Sequence, residues 1–85
     1  MIADHVLKVL RCPQDRSRLT RASDELVSRI NGAIAAGSLA NRAGKRLERA
    51  IDGGLVRAAG DLVYPIIDDI PLMLPDEAIE VSKVP

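Results

Sequence analysis

The sequence predicts a small α+β domain: an antiparallel sheet of short hairpins, with one short N-terminal helix and one inserted helix. Apolar residues recur at helical spacing in two segments, 3–10 and 23–36. Short apolar runs broken by glycine, proline and aspartate follow in the C-terminal part, which is typical of hairpins. A chain of 85 residues has the size of one domain, so we expect residues 1–85 to fold as a single unit.

The first helix is expected over residues 3–10. Asp4 is placed to cap it, and its apolar residues share one face: Val6, Leu7 and Leu10. Pro13 ends this segment because the residue before a proline is pushed out of the helical region. A turn over 14–17 and a short strand over 19–22 should follow.

The second helix is expected to start after Ser23, a favourable N-cap residue, and to end at Gly37. Its apolar stripe consists of Leu26, Val27, Ile30 and Ile34. Residues 38–51 fit two structures, because apolar residues four apart favour a helix whereas Gly44 favours a hairpin turning at 41–44. We favour the hairpin.

The C-terminal part is expected to begin with a turn at 52–54. Strands over 55–58 and 61–64 should then form a hairpin around Ala59-Gly60. Pro65 would restrict the chain after it to an edge or bulge position, since proline cannot donate to a sheet. A last strand is expected over 70–74.

Composition and charge limit the function classes. The 12 basic and 12 acidic residues balance, so overall charge gives no reason to expect nucleic-acid binding. A single cysteine excludes an internal disulfide. No apolar run approaches the ~20 residues of a membrane span, and the N-terminus lacks a signal-peptide pattern. We therefore expect a cytoplasmic protein that has no membrane partner.

A cysteine motif near the front resembles half of a zinc knuckle. In Leu10-Arg11-Cys12-Pro13-Gln14-Asp15, an aspartate occupies the place where a Cys-Pro-x-Cys turn would carry its second thiolate. The apolar run over 62–74 contains the Asp68-Asp69 pair and two prolines. Together these segments predict a zinc-ribbon-like domain that has lost its zinc.

The same segments resemble a known family, the small zinc-ribbon-like activator subunits of tRNA and protein methyltransferases and their short bacterial relatives of the YcaR type. The front match consists of Leu10, Cys12 and Pro13; the back match consists of Tyr64, Pro65, Ile66, Asp68, Ile70, Pro71, Leu72, Leu74, Glu77 and Ala78. The resemblance covers residues 3–22 and 53–79. It leaves about 23–52 as an insertion and 80–85 as a flexible tail.

The resemblance implies four zinc-ligand positions, at Cys12, Asp15, Arg57 and Gly60. Only Cys12 keeps a thiolate, and Arg57 is a cation where a ligand is required, so we expect no metal and no other cofactor. Arg57 should instead pair with Asp15. The inserted helix should replace the metal by packing where it once joined the hairpins.

Catalysis is not expected. Cys12 and His5 have no spacing that pairs them as nucleophile and base, so Cys12 is interpreted as a buried apolar residue. The Asp68-Asp69 pair is interpreted as a turn, and no carboxylate dyad is assigned to it. We therefore predict a protein that is not an enzyme.

A docking edge is the leading functional prediction. The apolar residues of 66–74 exceed what one face of a short strand can bury, so some should contact a protein partner. The resemblance implies a class I methyltransferase as that partner. Strand alternation would place Leu72 and Leu74 in the core and Met73 on the partner side. The predicted partner-binding residues are Ile67, Ile70 and Met73.

The alternative is a small RNA-binding or ribosome-associated protein that uses the basic segment 8–21. That segment contains Lys8, Arg11, Arg16, Arg18 and Arg21. Without aromatic residues nearby, we favour a solvated surface whose charge is balanced by the acidic segment 68–80.

Overall fold

The computed structural model describes residues 4–84. Its helices and strands, in chain order, are α1 (Asp4–Val9), β1 (Leu19–Arg21), α2 (Asp24–Ala35), β2 (Gly53–Arg57), β3 (Leu62–Ile67), β4 (Ile70–Pro71) and β5 (Ile79–Glu80). The strands form one antiparallel sheet in the order β1-β2-β3-β4, and β5 also pairs with β3. The predicted α+β class, with two helices and an antiparallel sheet of short strands, is confirmed.

Alternation along β3 divides the core between the two faces of the sheet. Leu62, Tyr64 and Ile66 belong to one buried cluster, and Val63 belongs to the other. The first, the α1-face cluster, contains Cys12, Leu19, Leu55, Leu62, Tyr64, Ile66 and Ala78. The second, the α2-face cluster, contains Ile30, Ala33, Ile34, Leu39, Ile51, Val63 and Ile79.

Leu7 of α1 and Leu10, directly after the helix, pack against the α1-face cluster, whereas Val6, predicted on the same face, is exposed. The Asp4 side chain, predicted as its cap, lies outside what the structure describes. Cys12 starts the expected turn: its carbonyl accepts from the Arg16 N–H at 2.8 Å. The part of the chain described here contains no helix that is long and apolar enough to cross a membrane.

Helix α2 is confirmed with its predicted cap. Ser23 Oγ accepts from the Leu26 N–H at 3.1 Å, and Gly37 follows the helix at φ +70°. Ile30 and Ile34 are buried, but in the α2-face cluster, whereas Cys12 lies in the other cluster. The prediction that this helix fills the place of the metal is therefore wrong, because the sheet separates the two.

Residues 38–51 contain the favoured hairpin and no helix. A bridge joins Ala40 and Arg46, and the Leu47 N–H donates to the Leu39 carbonyl at 2.9 Å. Gly44 has φ +86° in the turn. Asn31 fixes the end of this segment, since its side-chain amide both donates to and accepts from the Ile51 backbone. The hairpin is thus joined to α2.

The predicted turn at 52–54 is wrong, because Gly53 and Gly54 already belong to β2. A Cβ on Gly54 would lie 2.6 Å from Val63 Cγ1, whereas one on Gly53 would meet nothing closer than 3.7 Å. Gly54 is therefore required by close packing of neighbouring strands, and a turn does not explain it.

Pro65 lies within the central strand β3, which continues to Ile67, so the edge or bulge position predicted for the chain after Pro65 is wrong. On the side of β3 away from β2, β5 pairs with Leu62 and Val63, and β4 pairs with Ile66 and Ile67. Pro65 falls in the gap between these two short strands. Its missing N–H therefore interrupts no ladder, and its carbonyl still accepts from the Leu72 N–H at 2.9 Å.

The turn between β3 and β4 consists of two residues, as predicted for the aspartate pair. Asp68 and Asp69 have φ of 53° and 64°, positive at both central positions as a tight hairpin turn requires. The last predicted strand is shorter than 70–74, since β4 contains Ile70–Pro71 alone. After it, two 3₁₀ turns flank β5: Pro75–Glu77 and Val81–Lys83.

The segment 80–85 was predicted as a tail, but much of it belongs to the fold. Glu80 lies in β5, opposite Leu62 of β3. Val81 and Val84 then pack against the α2-face cluster. The tail prediction therefore placed the end of the packed domain too early.

Candidate functional site

Two turns face each other at the place where the resemblance implies a metal. In the first turn, the Cys12 carbonyl accepts from the Arg16 N–H, and the Cys12 N–H donates to the Ser17 carbonyl. In the second turn, the Arg57 carbonyl accepts from the Gly60 N–H at 2.8 Å. Asp15 from the first turn lies 3.5 Å from Arg57 of the second. The predicted Asp15–Arg57 pair is confirmed, and an ion pair now joins the turns.

Arg57 is the centre of this charged cluster, and its side chain is only 14% exposed. Its Nε and Nη2 donate to the two carboxylate oxygens of Asp61 at 2.6 and 2.7 Å. These bonds raise the pKa of Arg57, and the same bonds lower the pKa of Asp61. The guanidinium therefore stays charged and holds two carboxylates on its opposite sides.

Cys12 and Tyr64 form the buried floor of the cluster. A hydrogen bond joins Cys12 Sγ and the Tyr64 hydroxyl at 2.9 Å. Burial, followed by this bond, raises the pKa of Tyr64. Cys12 is 1% exposed, so no substrate reaches its thiol in this conformation. The geometry agrees with the interpretation of Cys12 as a core residue, and the absence of catalysis stays a prediction.

The fourth ligand position does not join the cluster. A Cβ on Gly60 would meet no atom within 4 Å, and this glycine has φ +77° in the hairpin turn. Among residues 4–84, no group of three or more His, Cys, Asp or Glu side chains could hold a metal ion. The cation beside Asp15 is the Arg57 guanidinium, while the zinc-free state itself stays a prediction.

Acid should weaken this cluster. Hydrogen bonds from Ser17, chiefly from its backbone N–H, lower the pKa of Asp15 from 3.8 to about 2. Because the folded-state pKa lies below the unfolded one, the contribution of Asp15 to stability is complete above about pH 4 and is lost as the pH falls toward 2. Asp15→Asn keeps an acceptor for Ser17 but removes the charge.

We expect Asp15→Asn to unfold at a lower urea concentration than the parent at pH 7. The difference between the two proteins should shrink as urea unfolding is repeated at pH values falling toward 2. A difference that stays constant over that range would mean that the Asp15 charge contributes nothing to folding.

The segment predicted as a docking edge carries exposed apolar side chains, but its strand phase is the reverse of the expected one. Ile66 of the α1-face cluster pairs with Pro71, and Met73, two residues further on, packs against that cluster. Ile70 is 61% exposed and Leu74 is 63% exposed. The placement of Met73 outside and of Leu74 inside is therefore wrong.

The three predicted partner-binding residues consequently differ in accessibility. Ile70 is exposed, Ile67 is half-buried against the α2-face cluster, and Met73 is half-buried against the other. The sequence analysis missed Leu74. The available signal was the Asp68-Asp69 turn: a two-residue loop pairs Ile67 with Ile70, which fixes the face of every later residue in an extended chain. We call Ile70, Leu72 and Leu74 the apolar edge.

An open groove of about 560 Å³ lies between the start of α2 and the start of β2. Its apolar lining comes from Ala22, Val27 and Ile66, and its carboxylates are Asp24, Asp52 and Asp69. Asp52 already accepts from the Asp68 N–H at 2.6 Å. The sequence analysis did not identify this groove, because its walls come from separate segments.

The fold is similar to that of a known structure. The solution NMR structure of a structural-genomics target from Xylella fastidiosa superposes with a TM-score of 0.76 at 25% sequence identity. The match covers 98% of this chain and 86% of that one. No protein-family model matches the sequence, and no curated protein matches it. The comparisons thus support the fold and assign no activity.

Proposed function

We propose that this chain is a non-enzymatic accessory protein that binds a partner protein through the apolar edge. The observation that carries the proposal is the exposure of two large aliphatic side chains, Ile70 on the outer strand β4 and Leu74 on the chain that follows it. Half-buried Leu72 lies between them in the sequence, and exposed apolar surface at a sheet edge is typical of a site that another protein covers.

Burial of side chains would drive this binding more than strand pairing would. Covering an exposed leucine or isoleucine fully contributes roughly 1.5–3 kcal/mol. Pro71 lies in the middle of the edge and has no N–H to donate, so a partner strand would lose a hydrogen bond there. The surface therefore suits an apolar groove or helix of the partner better than an added strand.

A class I methyltransferase is the partner class that we propose. The support is the sequence resemblance of residues 62–78 to methyltransferase activators, in which Leu72 and Leu74 are matching positions. The charged cluster fits an accessory role as well, since its thiol and phenol are buried and engaged with each other.

Binding should depend on Leu74. We expect Leu74→Asp to leave the melting temperature nearly unchanged, because the residue is exposed, and to abolish complex formation, because the new charge would be buried in the interface. The measurement is co-expression with class I methyltransferases from the same genome, followed by size-exclusion chromatography. Val9→Asp is the matched control, since Val9 on α1 is an apolar residue that is 74% exposed.

Met73→Asp tests whether Met73 faces the core, as in the structure, or the partner, as the sequence predicts. Because Met73 packs against the α1-face cluster, the charge should lower the melting temperature, which Leu74→Asp should not do. Complexes that survive both Ile70→Asp and Leu74→Asp would remove the apolar edge from the interface. If Leu74→Asp abolishes a complex with a protein that is not a methyltransferase, the accessory role is supported and the proposed partner class is contradicted.

A further inference from the structure

Three exposed arginines gather at the first turn and the strand that follows it. Arg11 and Arg18 are direct partners in an antiparallel bridge, and Arg16 lies in the turn between them. Directly opposed residues in such a bridge have Cβ atoms roughly 4.5–5.5 Å apart. We call Arg11, Arg16 and Arg18 the basic patch.

This arrangement is unfavourable for the isolated protein. Like charges directly opposite each other on neighbouring strands repel. Arg16 also has φ +63°, a left-handed conformation that residues with a Cβ rarely adopt. The fold therefore brings three arginines to one turn against both charge repulsion and backbone preference, and an anionic ligand would relieve the repulsion.

Three carboxylates that could balance the basic patch pair with other basic residues. Asp15, the carboxylate within the same turn, pairs with Arg57 and accepts from the Ser17 N–H. Asp68 pairs with Arg49, and Glu80 pairs with Arg42 and Lys83. Across residues 4–84, neither Arg16 nor Arg18 has an ion pair, while Arg11 donates through Nη1 to two backbone carbonyls. The expected balance by segment 68–80 does not reach these arginines.

We propose that the basic patch binds the phosphate backbone of a nucleic acid. Guanidinium groups match phosphate oxygens with paired donors, and the residues around the patch are polar: Lys8, Gln14, Ser17 and Thr20. A protein interface would be expected to place apolar side chains at its centre. Tyr64, the sole aromatic residue, is buried, so bases have no aromatic side chain to stack on, and we expect phosphate contacts to dominate binding.

The proposal is independent of the apolar edge and has its own test. Fluorescence anisotropy would compare duplex RNA, duplex DNA and polyglutamate of similar charge over a range of salt concentrations. For three phosphate contacts on DNA, the slope of log affinity against log salt should be about −2.7. Tighter binding to one duplex identifies that nucleic acid. Polyglutamate bound as tightly as both duplexes would overturn the proposal in favour of an acidic protein.

A matched pair of double variants tests the location. Arg16→Glu with Arg18→Glu should weaken binding by at least about tenfold and reduce the salt slope by roughly one unit for each lost contact. Arg29→Glu with Arg46→Glu makes the same change in net charge at exposed positions elsewhere and should have a much smaller effect. Equal losses from both pairs would show that only net charge matters and would overturn the proposed site.

Arg16→Gly provides a variant whose folding is not in question. Glycine adopts positive φ without strain, so this substitution should raise the melting temperature. It also removes one of the three charges and should weaken binding to the duplex. Binding equal to that of the parent protein would exclude Arg16 from the site and contradict the proposal.

Discussion

Replacing Ile30 with alanine should lower the free energy of unfolding by about 2–4 kcal/mol. Ile30 is fully buried in the α2-face cluster, which also contains Ala33, Ile34, and Leu39 and Ile51 from the hairpin segment 38–51. The truncated side chain leaves a cavity, because α2 is held by its cap and by the bonds of Asn31 to Ile51 and cannot collapse freely. Urea unfolding followed by circular dichroism measures the loss.

Arg29→Ala is the control for this prediction, since it changes the neighbouring residue of the same helix at an exposed position. It should unfold within about 0.5 kcal/mol of the parent. Ile34→Ala should resemble Ile30→Ala, since Ile34 belongs to the same cluster. Parent-like unfolding of both isoleucine variants would mean that α2 is an appendage that contributes little to the core.

Replacing Gly54 with alanine should cost about 1–3 kcal/mol, the range for an added group in a packed core. The new methyl would lie 2.6 Å from Val63 Cγ1 and 3.4 Å from the Ala22 side chain. Val63 cannot turn away easily, because it is buried and β-branched. Strand β2 would have to move away from β3.

The neighbouring glycine is the control for that substitution. Gly53→Ala places its methyl 3.7 Å from Ile66 Cδ1, an ordinary contact, and removes the conformational freedom of a glycine from the unfolded chain. It should be neutral or slightly stabilising in the same urea experiment. Equal losses for the two alanine variants would contradict the close approach at Gly54.

Local signals predicted the local structure. Ser23, the apolar stripe of α2 and Gly37 predicted that helix, because capping and amphipathic spacing act within a few residues. Gly44 and Gly60 likewise indicated their turns, both at positive φ. The Asp15–Arg57 pair was predicted only because the family resemblance aligned two turns that are distant in sequence.

The predictions that failed depend on how the strands pair with one another. Gly54 resembles a turn residue until the distance to Val63 is known, and that distance depends on strand register. The faces of Met73 and Leu74 depend on whether the preceding loop has two residues or three, and one residue reverses every later side chain. The pairing of Asp68 with Arg49 and of Glu80 with Arg42 could not be predicted for the same reason, since tertiary structure decides which arginines these carboxylates meet.

The placement of the two clusters on opposite faces of β3 has a consequence for how the protein tolerates change. The buried residues beneath the charged turns and those of α2 belong to separate clusters, so substitutions in one cluster should add in free energy to substitutions in the other. Side chains of one cluster can then be replaced while the packing of the other cluster keeps the strands in register. Additivity should fail where the two faces meet, because Arg42 of the hairpin segment donates to Gln14 of the first turn.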